Sequence, residues 1–224
     1  MHTSSARRSA VATALVATFG LGLAACDGAS GSQSAVVVST PSADSSSVHP
    51  GAVTLDPPDA KPALALTDQD GHSYDLAKQT AGHPTLLYFG YTHCPDVCPT
   101  TMADLAQAAR GLPTAERRSL RVVFVSTDPT RDTPRGLKRW LGAIDPRFIG
   151  LTGDFTTVQR AAKSLGVGIS APVKHKDGSV TVSHGAEVFA FSPKDDKAHL
   201  FYTSGTSEQR YAADLPEIVK GENP

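Results

Sequence analysis

Cys94 and Cys98 are the residues of this chain best suited by type and spacing to do chemistry. They lie in Tyr91-Thr-His-Cys-Pro-Asp-Val-Cys-Pro-Thr100, and each is followed by a proline. A residue before proline is pushed away from the α region, so the segment is not a simple helical turn. The spacing predicts Cys98 as the N-cap and Pro99 as the first residue of a following helix. That places the Cys98 thiol at the positive end of the helix, where thiolate is favoured. Such a pair can close a disulfide or exchange with another disulfide through a mixed intermediate. A purely structural disulfide across so small a loop would stabilise little through chain entropy. Two thiolates are also half of a soft site for copper(I), and an added imidazole would suit copper(II) or zinc as well.

The chain has eight histidines that could supply that third donor. His2 and His49 precede the folded part, and His72, His83 and His199 fall in turns or on strand surfaces. His93 adjoins the cysteine loop, but its side chain should diverge from that of Cys94. His175 stands between Lys174 and Lys176 and reads as exposed. His184 differs, because Val180-Thr-Val-Ser-His-Gly-Ala-Glu-Val-Phe189 places it in a tight stretch entering a buried strand. A single histidine is more often structural than ligating, so the residues alone rank His184 first and leave the third donor open.

The elements that must position these groups follow from hydrophobic pattern and turn chemistry. Thr85-Leu-Leu-Tyr-Phe-Gly90 reads as a buried central strand feeding the cysteine loop. Met102, Leu105, Ala106, Ala109 and Leu112 then recur at helical spacing, closed by Gly111 and Pro113. Residues 120–127 read as a second buried strand, and Thr133-Pro134 opens a helix carrying Leu137, Trp140, Leu141 and Ile144. Residues 148–151 form a brief strand, and Asp154 caps a helix with Phe155, Val158, Ala162 and Leu165. Residues 167–183 read as a loop or irregular hairpin turning at Asp177-Gly178, and 186–192 and 199–203 as an antiparallel pair. Pro216 would be costly inside a helix, so the last helix is predicted to start at Asp214. Near the start, 63–67 and 72–76 form a hairpin turning at Asp70-Gly71. The sum is an α/β fold of three layers with a mixed central sheet, an N-terminal hairpin and an insertion before the closing hairpin. Cysteines between a buried strand and the next helix are where a thioredoxin-like fold carries them.

Charge and composition narrow the function. With 21 basic and 22 acidic residues in 224, there is no basic excess to neutralise phosphates, which argues against nucleic acid as a partner. No phosphate-binding glycine motif occurs. Only one long uncharged stretch is present, so a multi-span membrane protein is excluded. That stretch follows Arg7 and Arg8 and runs to Asp27, so residues 1–25 read as an export signal. It ends in Leu23-Ala-Ala-Cys26, which resembles the lipobox of bacterial lipoproteins, where cleavage leaves the cysteine lipidated. Residues 26–59, rich in Ser, Ala and Pro, then read as Cys26 plus a flexible tether, and 60–224 as the domain. The expected location is the outer face of the bacterial cell membrane, held there by the lipid. With Cys26 lipidated, Cys94 and Cys98 are the two remaining thiols, in a compartment where disulfides form.

Three segments together resemble the Sco/SenC family of thioredoxin-like copper proteins: residues 91–99, Val125-Ser-Thr-Asp-Pro-Thr-Arg-Asp-Thr-Pro134, and Ser183-His184 before an apolar strand. The resemblance covers residues 60–220. It implies one copper ion held by Cys94, Cys98 and His184, and a role in assembling the dinuclear copper site of cytochrome c oxidase. Its implied partners are the copper-site subunit of the oxidase and either another copper chaperone or a thioredoxin-like reductant, with the protein itself a monomer. The histidine segment departs from the usual family wording, which has an acid before the histidine and Ser after it; here these are Ser183 and Gly185. Asp128 is then the leading carboxylate to stand behind the ligands. Two functions remain in competition: a metallochaperone, and a thiol-disulfide oxidoreductase that reduces the oxidase subunit's cysteines or senses redox state. A peroxide-reducing relative would need an arginine beside its cysteine, and the sequence does not place one. If Cys26 carries lipid, Cys26→Ser should move the protein from the detergent phase of a phase-partition assay into the periplasm or culture fluid. Retention of the mutant on the membrane contradicts a lipid anchor.

Overall fold

The computed structural model describes residues 51–224, so the expected export signal, Cys26 and the tether up to residue 50 lie outside the described residues. The described part opens with strands β1 (Ala52–Ala60), β2 (Ala65–Asp68) and β3 (Ser73–Asp75), then the short helix α1 (Leu76–Gln79). The centre follows as β4 (Thr85–Gly90), α2 (Val97–Arg110), α3 (Thr114–Ser119), β5 (Arg121–Ser126), α4 (Pro134–Ile144), β6 (Ile149–Thr152) and α5 (Phe155–Ser164). A small ribbon, β7 (Val173–Lys174) with β8 (Val180–Thr181), precedes β9 (Val188–Phe191), β10 (Lys197–Tyr202) and α6 (Glu208–Ile218).

Eight strands form one sheet in the order β1-β10-β9-β4-β5-β6-β2-β3. The β4, β5 and β6 strands are parallel, whereas β9 joins β4 and β2 joins β6 antiparallel. Every residue of β4 is buried, as a central strand covered on both faces must be. Its side chains alternate between two cores. Leu86 and Tyr88 pack with Met102 and Leu105 of α2, Leu137 and Leu141 of α4, and Tyr211 and Leu215 of α6. Leu87 and Phe89 pack with Val158, Ala161 and Ala162 of α5 and with Leu64 and Leu76. The fold is therefore a thioredoxin-like mixed sheet between two layers, as the strand and helix pattern predicts. Among the described residues no helix is long and apolar enough to cross a membrane.

Three predicted boundaries shift. First, the domain begins before residue 60, because strand β1 takes in residues 52–59 of the expected tether and pairs with β10. Without β1 the backbone of β10 would be an open sheet edge, and Ala52 and Leu55 add apolar contacts to the two cores. Second, α2 starts at Val97 with Asp96 as N-cap, so Cys98 lies inside the first turn and is not the cap. Pro99 is tolerated there because first-turn N–H groups have no intrahelical acceptor. Third, α6 starts at Glu208, six residues before Asp214, where the Ser207 side chain accepts from the Arg210 N–H. Pro216 sits within it; the lost hydrogen bond is offset by burial of Tyr211, Leu215 and Ile218. Asp214 is buried and accepts from the Tyr202 hydroxyl at 2.8 Å and Arg210 Nε at 2.7 Å, tying α6 to β10.

Candidate metal centre

Sheet register brings three distant segments to one edge. Gly90, the last residue of β4, lies beside Ser126 of β5, and Tyr88 lies beside Val188, the first residue of β9. The loop after β4, the loop after β5 and the segment entering β9 therefore meet. They carry Cys94 and Cys98, residues 127–133, and His184 respectively. The two sulfurs and one imidazole nitrogen lie within 4.8 Å of one another. Cys98 is fully buried, Cys94 is at the rim with 8% exposed, and His184 is half-buried.

The histidine is oriented for ligation. Its Nδ1 is hydrogen-bonded to the Gly185 carbonyl, which can only accept, so Nδ1 carries the proton. The Nε2 edge of the ring then faces the Cys94 sulfur at 4.0 Å. The Tyr91 ring leans on the imidazole, with centroids 5.3 Å apart. An ion with bonds of about 2.0–2.3 Å in a trigonal plane holds its donors about 3.5–4 Å apart. Closing this triangle on an ion needs movements of under about 1 Å. Two sulfurs and a neutral imidazole suit a soft or borderline ion such as copper or zinc.

The thiols differ. Burial pulls the Cys94 thiol upward, but the backbone N–H groups of Cys98, Asp96 and Val97 and the Cys98 thiol outweigh it and leave Cys94 below the ordinary value. One of these contacts, Cys98 N–H to Cys94 Sγ, is 3.5 Å long. Burial pushes Cys98 up to about 12, reinforced by Cys94 and opposed by the Tyr88 hydroxyl. Cys94 is thus the outer, more acidic thiol and Cys98 its buried partner.

The profile of the SCO1/SenC family matches residues 42–220 of the 224. The chain belongs to the SCO1/SenC family. A Stutzerimonas stutzeri protein is 37% identical over 134 residues, which is 60% of this chain and 65% of that protein. The copper-bound structure of Bradyrhizobium japonicum ScoI is 33% identical with a TM-score of 0.60, covering 71% of this chain and 99% of that one. Copper-bound yeast Sco1 is 28% identical with a TM-score of 0.66, covering 75% and 92% respectively. The chain spans between half and two thirds of the length of the curated relatives it matches first.

Within this Sco-family site, Cys94, Cys98 and His184 come together as the sequence implied. His93 turns away from Cys94, towards Thr92 and Asp132. Asp128 is buried, but its carboxylate is taken by Arg131, and it makes no hydrogen bond to any of the three ligand residues. The cause is local: the turn after β5 places Arg131 three residues on, with its N–H on the Asp128 carbonyl at 3.1 Å. The carboxylate that steadies the cysteine loop is instead Asp132. Its two oxygens accept from Thr92 N at 3.0 Å, Thr92 Oγ1 at 2.6 Å and Ser126 Oγ at 2.7 Å. Asp132 belongs to the segment 125–134 that carries the resemblance, but only the fold shows that it spans to the neighbouring loop. Glu187 was also missed; it folds back on the histidine segment and accepts from the Ala186 N–H at 2.8 Å. Gly90 is required for space, because a Cβ there would lie 2.9 Å from Cys98 Sγ and 2.6 Å from Tyr88 Cε1.

The thiol asymmetry has a readout. A lowered value enlarges the thiolate fraction near neutral pH, and the thiolate is the nucleophile. In the reduced, metal-free domain, iodoacetamide should therefore modify Cys94 first, with a rate that rises below the pH expected of an ordinary thiol. Cys98 should stay unmodified until the domain unfolds. Peptide mapping across a pH series checks this; equal labelling of both at neutral pH would show that the asymmetry is wrong.

Proposed function

We propose that this protein is a copper chaperone of the cell surface. It holds one copper ion through Cys94, Cys98 and His184 and assists assembly of the dinuclear copper site of cytochrome c oxidase. The observation that carries the reading is the convergence of two sulfurs and an imidazole nitrogen of His184 within 4.8 Å, on a family member. The solved Bradyrhizobium and yeast relatives named above are copper-bound, which supports copper as the ion. Cys98 and the sheet seal the inner side, and Cys94, 8% exposed, forms the outer rim with the half-buried His184. A partner can approach that rim and exchange ligands one at a time. The copper-site subunit of the oxidase is the proposed client, and Cys26 the proposed lipid attachment, with the domain on the outer face of the membrane. Copper is cargo in this reading, and the chain's own task is to keep two thiolates and one imidazole preorganised.

A second reading is favoured by the unequal thiols. A rim thiolate with a buried partner is the arrangement a disulfide reductase needs. Cys94 would attack a client disulfide, releasing one client thiolate and forming a mixed disulfide. Cys98 would then displace the second client sulfur and leave a Cys94–Cys98 disulfide, so the client gains the two electrons this pair loses.

His184 separates the readings, because thiol exchange needs no imidazole whereas removing one of three donors weakens copper binding. Oxidase activity would be measured in a deletion strain complemented with wild type, His184→Ala or Cys98→Ser across a copper series. His184→Ala should fall nearly as far as Cys98→Ser when copper is scarce and recover partly when it is abundant. Normal oxidase at every copper level in the histidine mutant would overturn the chaperone reading and leave the reductase standing.

A further inference from the structure

The Tyr88 hydroxyl lies 3.4 Å from Cys98 Sγ, and both side chains are fully buried. A buried phenol needs a hydrogen-bond partner, and here the O–H donates to the sulfur. Neither group has slack. Tyr88 sits mid-sheet on β4 between Phe124 of β5 and Val188 of β9. Its ring packs 6.0 Å from that of Phe124, and a Cβ at Gly90 would lie 2.6 Å from the ring and 2.9 Å from the sulfur.

The value of this bond depends on what Cys98 is doing. A thiolate bound to a metal is a charged acceptor and takes a strong, charge-assisted hydrogen bond. A disulfide sulfur is neutral and a weaker acceptor, and to form the bond Cys98 Sγ must close on Cys94 Sγ. Tyr88 is fixed in the sheet and cannot follow it. We propose that Tyr88 is a positioning residue whose hydroxyl holds the Cys98 sulfur at its metal-ligating position, against the movement that closes the Cys94–Cys98 disulfide.

Two measurements on Tyr88→Phe test this. The first uses no metal. The domain is equilibrated with reduced and oxidised glutathione, the two cysteines giving up two electrons and two protons as the glutathione disulfide becomes two thiols. Loss of the hydroxyl should shift the balance towards the Cys94–Cys98 disulfide by about threefold, which is about 15 mV for a two-electron couple. The second uses copper(II), whose sulfur-to-copper charge-transfer band should move to longer wavelength, since the Cys98 lone pair is no longer stabilised. Tyr202→Phe is the control: its hydroxyl is equally buried but donates to Asp214, so it should lower stability and move neither readout. In wild type, the Tyr88 hydroxyl proton should shift downfield in NMR spectra on loading copper(I), which keeps the inference testable should Tyr88→Phe not fold. The copper arms rest on the proposed metal-holding role, whereas the glutathione arm does not. No copper bound to any variant would therefore sink that role alone. An unchanged glutathione balance in folded Tyr88→Phe, or a wild-type hydroxyl proton that ignores bound copper(I), would overturn the assignment to Tyr88.

Discussion

The site exists because β4 pairs in parallel with β5 and antiparallel with β9 in one register. That register sets Tyr88 beside Val188 and Gly90 beside Ser126, so residues about 90 apart in the chain deliver Cys94 and His184 to the same sheet edge. A one-residue slip in either pairing would invert the faces of the strand. Leu86 and Tyr88 would exchange cores with Leu87 and Phe89, and the loops would arrive out of step. The division of the β4 side chains between two cores, with every position buried, is therefore what specifies the geometry of the donors. The helices α2, α4, α5 and α6 seal the two faces that enforce it.

On that scaffold, polar groups do the finer placing. Asp132 joins the loop after β5 to the loop after β4 through two hydrogen bonds from Thr92, while Ser126 at the end of β5 donates a third. Asp132 is nearly fully buried, and a buried carboxylate left without such partners would be costly. The Gly185 carbonyl fixes which imidazole nitrogen is free, and the absence of a Cβ at Gly90 leaves room for the Cys98 sulfur. The soft donors thus meet before any ion arrives, which lowers the ordering cost of binding.

Much of this was legible in the sequence, for identifiable reasons. The central strands announce themselves as unbroken apolar runs, and Thr133 and Asp154 cap α4 and α5 as their residue types predict. The cysteines and His184 were legible through type and motif. Two kinds of miss stand out: elements whose order depends on partners distant in sequence, and a carboxylate claimed by a near neighbour. Strand β1 looks like tether because its reason for being ordered is the edge of β10. Helix α6 runs through Pro216 because its buried face outweighs one lost hydrogen bond. Asp128 was the natural candidate from its place at a strand end, but the guanidinium three residues on claims it, and Asp132 reaches across to the cysteine loop.

The central claim is that Cys94, Cys98 and His184 close on a single copper ion. X-ray absorption spectroscopy on the domain loaded with one equivalent of copper(I) tests it most directly, because it counts donors around the metal by element. The account predicts one three-coordinate copper with two sulfurs and one imidazole nitrogen, and two sulfurs alone in His184→Ala. A shell of oxygen and nitrogen without sulfur, or copper–copper scattering from a shared cluster, would contradict it.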